Sequence, residues 1–151
     1  HVDSSAASDV YKRQIKGKEL LTFIPAQILG CLLGVMLANV FFEHSIIELS
    51  TKNRDGFHIF LSEIVATFGL IFIIFATLKD GKTTVAACVA TYISAGYWFT
   101  SSTSFANPAV AIARTFTDSF TGINYLNTPT YIFAELLGAI AAVYIIKRLI
   151  K

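Results

Sequence analysis

The segment Ser101–Asp118 carries the residues best suited to chemistry in this 151-residue chain. Its centre is Asn107-Pro108-Ala109, which follows a run of small and hydroxyl residues and precedes a short apolar helical pattern. Asn is a preferred N-cap, and Pro suits the first helical position because its missing N–H is not needed there. The tripeptide therefore predicts a helix that begins at Pro108, with its first N–H groups free to meet a ligand.

This short helix, about residues 107–117, lies between two segments that are apolar enough to cross a membrane. Irregular backbone at bilayer depth is tolerated only where protein or a water-filled cavity satisfies its polar groups. We therefore expect a re-entrant half-helix buried inside protein. Its positive dipole end and the Asn107 carboxamide would polarise water or a passing solute and repel cations.

Four apolar stretches of about the length needed to span a bilayer frame the chain, at about residues 20–42, 59–78, 83–99 and 129–148. With 54% hydrophobic residues, 15% charged residues and a mean hydropathy of +0.62, the composition is typical of an all-α polytopic membrane protein. The net charge of +2 is too small to indicate a nucleic-acid-binding surface. No metal-ligand spacing and no catalytic constellation is visible, so we expect no enzyme, metal or cofactor.

Basic residues predict the orientation of these spans in the lipid bilayer. Three clusters fall on one side if the spans alternate: Lys16 with Lys18, Lys79 with Lys82, and Lys147 with Arg148 and Lys151. The positive-inside rule makes that side cytoplasmic, and the C-terminus with it.

Residues 23–30 and 131–138 read FIPAQILG and YIFAELLG, which share Ile, Ala, Leu and Gly and place Gln27 opposite Glu135. Because two spans lie between them, the two helices cross the membrane in opposite directions. That is the pattern of an inverted repeat, whose transport path lies near the midplane. Chance similarity between two apolar helices is the alternative.

Glu63 and Glu135 place carboxylates within apolar spans, and Thr67 shares a helical face with Glu63 at i,i+4. A carboxylate at such depth must face the bundle interior and find hydrogen-bond donors, or else bind a proton. A proton relay in a secondary transporter therefore remains an alternative to a structural role.

The stretch SFANPAVAIARTF, residues 104–116, resembles the second Asn-Pro-Ala half-helix of the aquaporin (major intrinsic protein) family. The stretch EIVATFGLIF, residues 63–72, resembles the helix that opens each half of those channels. The resemblance implies a right-handed helical bundle with an inverted repeat. Residues 15–151 would supply helices three to six and the second half-helix. It also implies a passive channel for small neutral solutes and a homotetramer in a bacterial inner membrane.

The resemblance also implies roles for individual residues. Asn107, Pro108 and Ala109 would line the pore, and Val110, Ser104 and Ala95 would form the selectivity filter. Glu63 would hold the loop before the half-helix, with Thr67, Glu135, Gln27 and Arg114 as further structural support. Most family members have Arg where Val110 stands, and a His at Ala95 would mark a tight water filter. We therefore expect a wider and more apolar constriction here.

Arg114 lies one helical turn beyond Val110 and has two possible roles. It could supply a displaced filter charge, or it could pair with Asp118 at i,i+4 and brace the helix. We favour the brace. Val110 directly after Asn-Pro-Ala, with ARTFTD downstream at residues 113–118, resembles the channels associated with bacterial arsenic resistance. This resemblance implies flux of water, glycerol or undissociated arsenite. A proton-coupled transporter and a structural membrane protein are the alternative functions.

Residues 4–14, SSAASDVYKRQ, resemble the in-frame translation of a sequencing adapter. We therefore expect residues 1–14 to be a non-native tail on an N-terminally truncated channel that lacks the first two helices. An ordinary polar N-terminal tail is the alternative.

Overall fold

A computed structural model describes residues 17–149, with side chains from Glu19 onward. The predicted non-native tail at residues 1–14 lies outside this range, as do Lys16 and Lys151. Within the range the chain forms five α-helices and two short 3-10 helices, with no strand. The predicted all-α membrane fold class is therefore confirmed.

The four long helices begin and end within three residues of the predicted spans, and the fifth is the half-helix. They are α1 (Gly17–Phe41), α2 (Phe57–Thr77), α3 (Lys82–Phe99), α4 (Pro108–Ala113) and α5 (Thr128–Leu149), with 3-10 helices at Leu78–Asp80 and Arg114–Phe116. The half-helix is shorter than predicted, because regular α-helix ends at Ala113 and only a 3-10 turn follows.

Three segments of the described chain are long and apolar enough to cross a membrane: Glu19–Phe41, Phe57–Asp80 and Thr128–Leu149. Helix α3, the third predicted span, is not one of them. Its hydroxyl groups lower its hydropathy, but Thr91 and Ser94 donate to the carbonyls of Ala87 and Ala90 at 2.9 and 2.8 Å. Hydroxyls bonded to their own helix can lie in an apolar environment, so its passage through the bilayer stays a prediction.

Helices α2 and α5 form the most extensive helix pair of the described chain. Ile59 packs with Tyr131 near their first turns, and Phe75 packs with Ala142 and Ile146 near their last. The two helices therefore run in the same direction. Helix α4 contacts α1 on one side and α5 on the other, so the half-helix is enclosed on two sides by longer helices.

Candidate functional site: a half-helix capped inside the bundle

The loop before the half-helix has an unusual backbone. Thr103, Ser104 and Ala106 have φ angles of 64°, 51° and 50°, in the left-handed region that residues with a Cβ seldom adopt. Each such residue costs roughly 1 kcal/mol or more and persists only where its surroundings fix it. The loop therefore requires strong partners, and two buried carboxylates supply them.

Glu63 holds the loop through both of its carboxylate oxygens. The side chain is 0% exposed; Oε2 accepts from the N–H of Phe105 at 3.4 Å, and Oε1 accepts from the N–H of Ala106. Tyr131 from α5 adds a third anchor, since its hydroxyl donates to the carbonyl of Ser102 at 3.3 Å. The loop is thus fixed from α2 and α5 together.

Glu135 from α5 extends this support to the tripeptide, because its Oε1 accepts from the N–H of Asn107 at 3.0 Å. Glu63 is the seventh residue of α2 and Glu135 the eighth of α5. At 1.5 Å per residue, both carboxylates lie about 10 Å along their helices from the first residue. The half-helix therefore begins well inside the bundle, at a depth that two helices set independently.

Asn107 caps the half-helix as its sequence predicts. Its backbone is extended (φ −160°, ψ 119°), its carboxamide oxygen accepts from the N–H of Ala109 at 3.0 Å, and Pro108 occupies the first helical position. Since the oxygen is used in the cap, the NH2 group is the part of the carboxamide left to donate to a solute. Ala109 is 4% exposed and packs inward.

A cavity of about 600 Å³ opens between α1 and the far end of the half-helix. Its walls are formed by Cys31, Gly34, Val35, Ala38, Asn39, Phe42, His44, Tyr97, Val110, Ala113, Arg114, Thr117, Ser119, Phe120 and Thr121. The α1 wall is mainly apolar, whereas the half-helix wall also carries Arg114 and hydroxyl groups. Such a passage suits small solutes that present polar groups on one side.

The three predicted filter residues have different surroundings. Val110 lines the cavity. Ser104 is buried directly against α3, where a Cβ on Gly96 would lie 2.6 Å from its Oγ. Ala95 is exposed and is not one of the lining residues. In the described chain, therefore, Val110 lies on the cavity wall and the other two do not.

The predicted pairing of Arg114 with Asp118 is wrong. The guanidinium instead donates to the Tyr97 hydroxyl at 2.7 Å and to the carbonyl of Thr121 at 3.5 Å. Helix ends at Ala113, and Thr117 has an extended backbone (φ −146°). The i,i+4 spacing that would bring the two side chains together is therefore lost.

The other predicted supporting residues also differ from one another. Thr67 is buried where α2 crosses α5, against the position of Gly138. Gln27, the counterpart of Glu135 in the proposed repeat, is exposed on α1. Residues 19–149 contain no group of three or more His, Cys, Asp or Glu side chains placed to hold a metal ion.

Two polar side chains tie the loop before α2 to the loop before α5, through contacts that sequence reasoning missed. Arg54 donates to the carbonyls of Gly122 and Phe120 at 2.8 and 2.6 Å. Asp118 accepts from the N–H of Thr51 at 2.9 Å and from the Ser50 hydroxyl at 3.3 Å. These bonds join residues more than 60 positions apart, for which the sequence carries no local signal.

The hydrogen bond from the Thr51 N–H, more than any other contact, lowers the pKa of Asp118 from its ordinary value of 3.8. The ionised carboxylate therefore stabilises the loops at neutral pH, and this contribution is lost as the pH falls below 3.8 and through the folded-state pKa.

We expect the Thr51 amide to lose several-fold of its hydrogen-exchange protection between pH 6 and pH 3. Asp118→Asn should flatten this dependence. Asp55→Asn, which alters a carboxylate bonded to Asn53, should leave the dependence intact; equal profiles for both variants would contradict the assignment.

Comparison with curated proteins shows a clear similarity. The aquaglyceroporin AqpS of Rhizobium meliloti (strain 1021) is 42% identical over 134 residues, which is 89% of this chain and 58% of that protein. The chain is similar to an aquaglyceroporin. This similarity supports the aquaporin family, although the chain spans only 58% of the length of its relative. No family model matches the chain, and no solved structure matches it.

Proposed function

We propose that this chain belongs to the aquaporin family and forms part of a passive channel for water and small neutral solutes. The observation that carries the proposal is the half-helix that begins about 10 Å inside the bundle, with Asn107 as its cap and Val110 on the cavity wall. Its first N–H groups and its dipole point into the bundle interior, where they favour polar solutes and oppose cations. The similarity to an aquaglyceroporin supports this reading.

We further propose that the pore passes solutes larger than water, with glycerol and undissociated arsenite as the candidates. Val110 presents an apolar, uncharged surface to the cavity, and the name of the relative indicates glycerol for that protein. A filter of Val110, Ser104 and Ala95, the arsenic-resistance subtype, assembly as a homotetramer and a bacterial inner membrane with a cytoplasmic C-terminus are parts of the same proposal.

A proton-coupled transporter is the second candidate, and the carboxylates argue against it. Both oxygens of Glu63 and one oxygen of Glu135 accept hydrogen bonds from loop backbone. Protonation of Glu63 would place an O–H against a backbone N–H and release the loop. Glu63 is therefore suited to hold the loop and poorly suited to cycle protons.

The direct test is solute flux in liposomes that contain the purified protein. Light scattering should report passive swelling in water and glycerol gradients, and arsenite uptake should follow its gradient without a pH gradient. Uptake that requires a proton gradient would favour the transporter. Absence of flux from well-inserted protein would favour a structural role.

We predict that Val110→Arg reduces glycerol flux at least about tenfold and water flux much less, because a guanidinium narrows the cavity beside the half-helix. The reduction should be read as the ratio of glycerol to water permeability in the same vesicles. Val110→Ala is the matched control and should leave that ratio near the wild-type value. Equal ratios for Val110→Arg and the wild type would remove Val110 from the filter.

A further inference from the structure

Arg114 places a positive charge on the cavity wall. It lies one helical turn beyond Val110, and both residues line the cavity. We infer that Arg114, fixed by Tyr97, is a specificity-determining residue. It excludes cations on the outer side of Val110 and donates hydrogen bonds to the oxygen atoms of neutral solutes. The inference rests on the proposed channel function.

The guanidinium is held in place from three parts of the chain. It donates to the hydroxyl of Tyr97 on α3 at 2.7 Å and to the carbonyl of Thr121 at 3.5 Å. Its central carbon lies 5.2 Å from the ring centre of Phe105 and 5.9 Å from that of Tyr97. A cation stacked on one ring and hydrogen-bonded to a second aromatic residue has a defined position, which a selectivity element requires.

No carboxylate of the described chain forms a salt bridge with this cation. Two acidic groups of the neighbouring loops have other partners: Asp118 accepts from Thr51, and Glu48 pairs with His44 at 3.0 Å. His44 also lines the cavity, and the carboxylate of Glu48 is its hydrogen-bond partner. The positive field of Arg114 therefore extends into a cavity whose α1 wall is mainly apolar.

The same geometry indicates which solutes the residue accepts. A guanidinium has five N–H donors, and Tyr97 and Thr121 account for two of them. The opposite wall presents Val35 and Ala38 from α1. Compact neutral molecules with oxygen acceptors on one side fit this arrangement, whereas a cation of equal size is repelled by the guanidinium.

Urea and guanidinium provide the test, because they have nearly the same size and planar shape and differ in charge. We would measure uptake of both into liposomes held at zero membrane potential and take the ratio of urea to guanidinium flux. The ratio should be high for the wild type and fall at least about tenfold in Arg114→Gln, the scale expected for loss of one charged hydrogen-bonding group. Arg148→Gln is the matched control, since Arg148 also donates to a tyrosine, Tyr144 at 2.8 Å, but does not line the cavity.

Two more variants keep the test decisive if Arg114→Gln fails to insert. Arg114→Lys retains the charge and should keep the flux ratio within about threefold of the wild type, and Tyr97→Phe should lower it by a smaller factor than loss of the charge. A ratio unchanged in both Tyr97→Phe and Arg114→Gln, or in Tyr97→Phe alone if Arg114→Gln fails to insert, would overturn the inference and leave the channel intact. Absence of urea flux, with no water or glycerol flux from the wild type either, would instead refute the proposed function.

Discussion

Glu63→Gln is expected to lower the free energy of unfolding by about 3 kcal/mol and to abolish solute flux. Both oxygens of this buried carboxylate accept from backbone N–H groups, those of Phe105 and Ala106. A glutamine side chain offers one acceptor and turns its NH2 group toward the other N–H. One buried donor is then left unsatisfied, which costs about 1–3 kcal/mol, and two donors face each other. The measurement is chemical unfolding in detergent together with liposome flux.

Glu135→Gln is the matched control for this prediction. Its Oε1 accepts from the N–H of Asn107 at 3.0 Å, while its Oε2 is buried and has no hydrogen-bond partner among the described residues. A glutamine can keep the bond to Asn107 and place its NH2 group where Oε2 lies. We therefore expect a change of less than about 1 kcal/mol. Equal destabilisation by the two substitutions would contradict the assignment of Glu63 as the principal anchor of the loop.

Gly138→Ala is expected to destabilise the protein by about 2–4 kcal/mol, because α2 passes too close for a methyl group. A Cβ at Gly138 would lie 2.5 Å from the carbonyl oxygen of Ile64, 3.0 Å from the Cβ of Thr67 and 3.1 Å from the backbone nitrogen of Phe68. Backbone atoms cannot rotate away as a side chain can, so the two helices must separate. The measurement is the unfolding free energy in detergent micelles.

Gly30→Ala supplies the control, because Gly30 occupies the corresponding position of the sequence repeat and a Cβ there meets nothing within 4 Å. Alanine also has the higher helix propensity, so this substitution should be neutral or stabilising by up to about 1 kcal/mol. If both glycine substitutions had the same effect, close packing at Gly138 would not be what holds α2 and α5 together.

Local chemistry made the start of the half-helix predictable. An Asn followed by Pro specifies a cap and a first helical residue without help from distant parts of the chain, and the structure has both. The apolar runs likewise gave helices near their observed bounds, because hydropathy over about 20 residues is a strong signal. Both predictions depend on residues that are neighbours in sequence.

Contacts between distant residues were not predictable in the same way. The pairing of Arg114 with Asp118 was wrong because the helix ends before that spacing can act, and Tyr97, the actual partner, lies on another helix. The bonds from Arg54 to the loop before α5 gave no sequence signal either. The sequence repeat predicted the same supporting role for Gln27 and Glu135, yet of these two only Glu135 is buried against the half-helix.

In the proposed channel, the Val110 face of the half-helix is directed at a water-filled path through the membrane. The most direct measurement uses Val110→Cys and Ala111→Cys, each with the two free cysteines, Cys31 and Cys88, replaced by serine. Glycerol flux is followed before and after treatment with a small charged thiol reagent. Val110 lines the cavity, whereas Ala111 is 0% exposed in the core. We predict that the reagent reduces flux at least about tenfold in Val110→Cys and leaves Ala111→Cys unchanged. Undiminished flux through fully labelled Val110→Cys protein would contradict the claim.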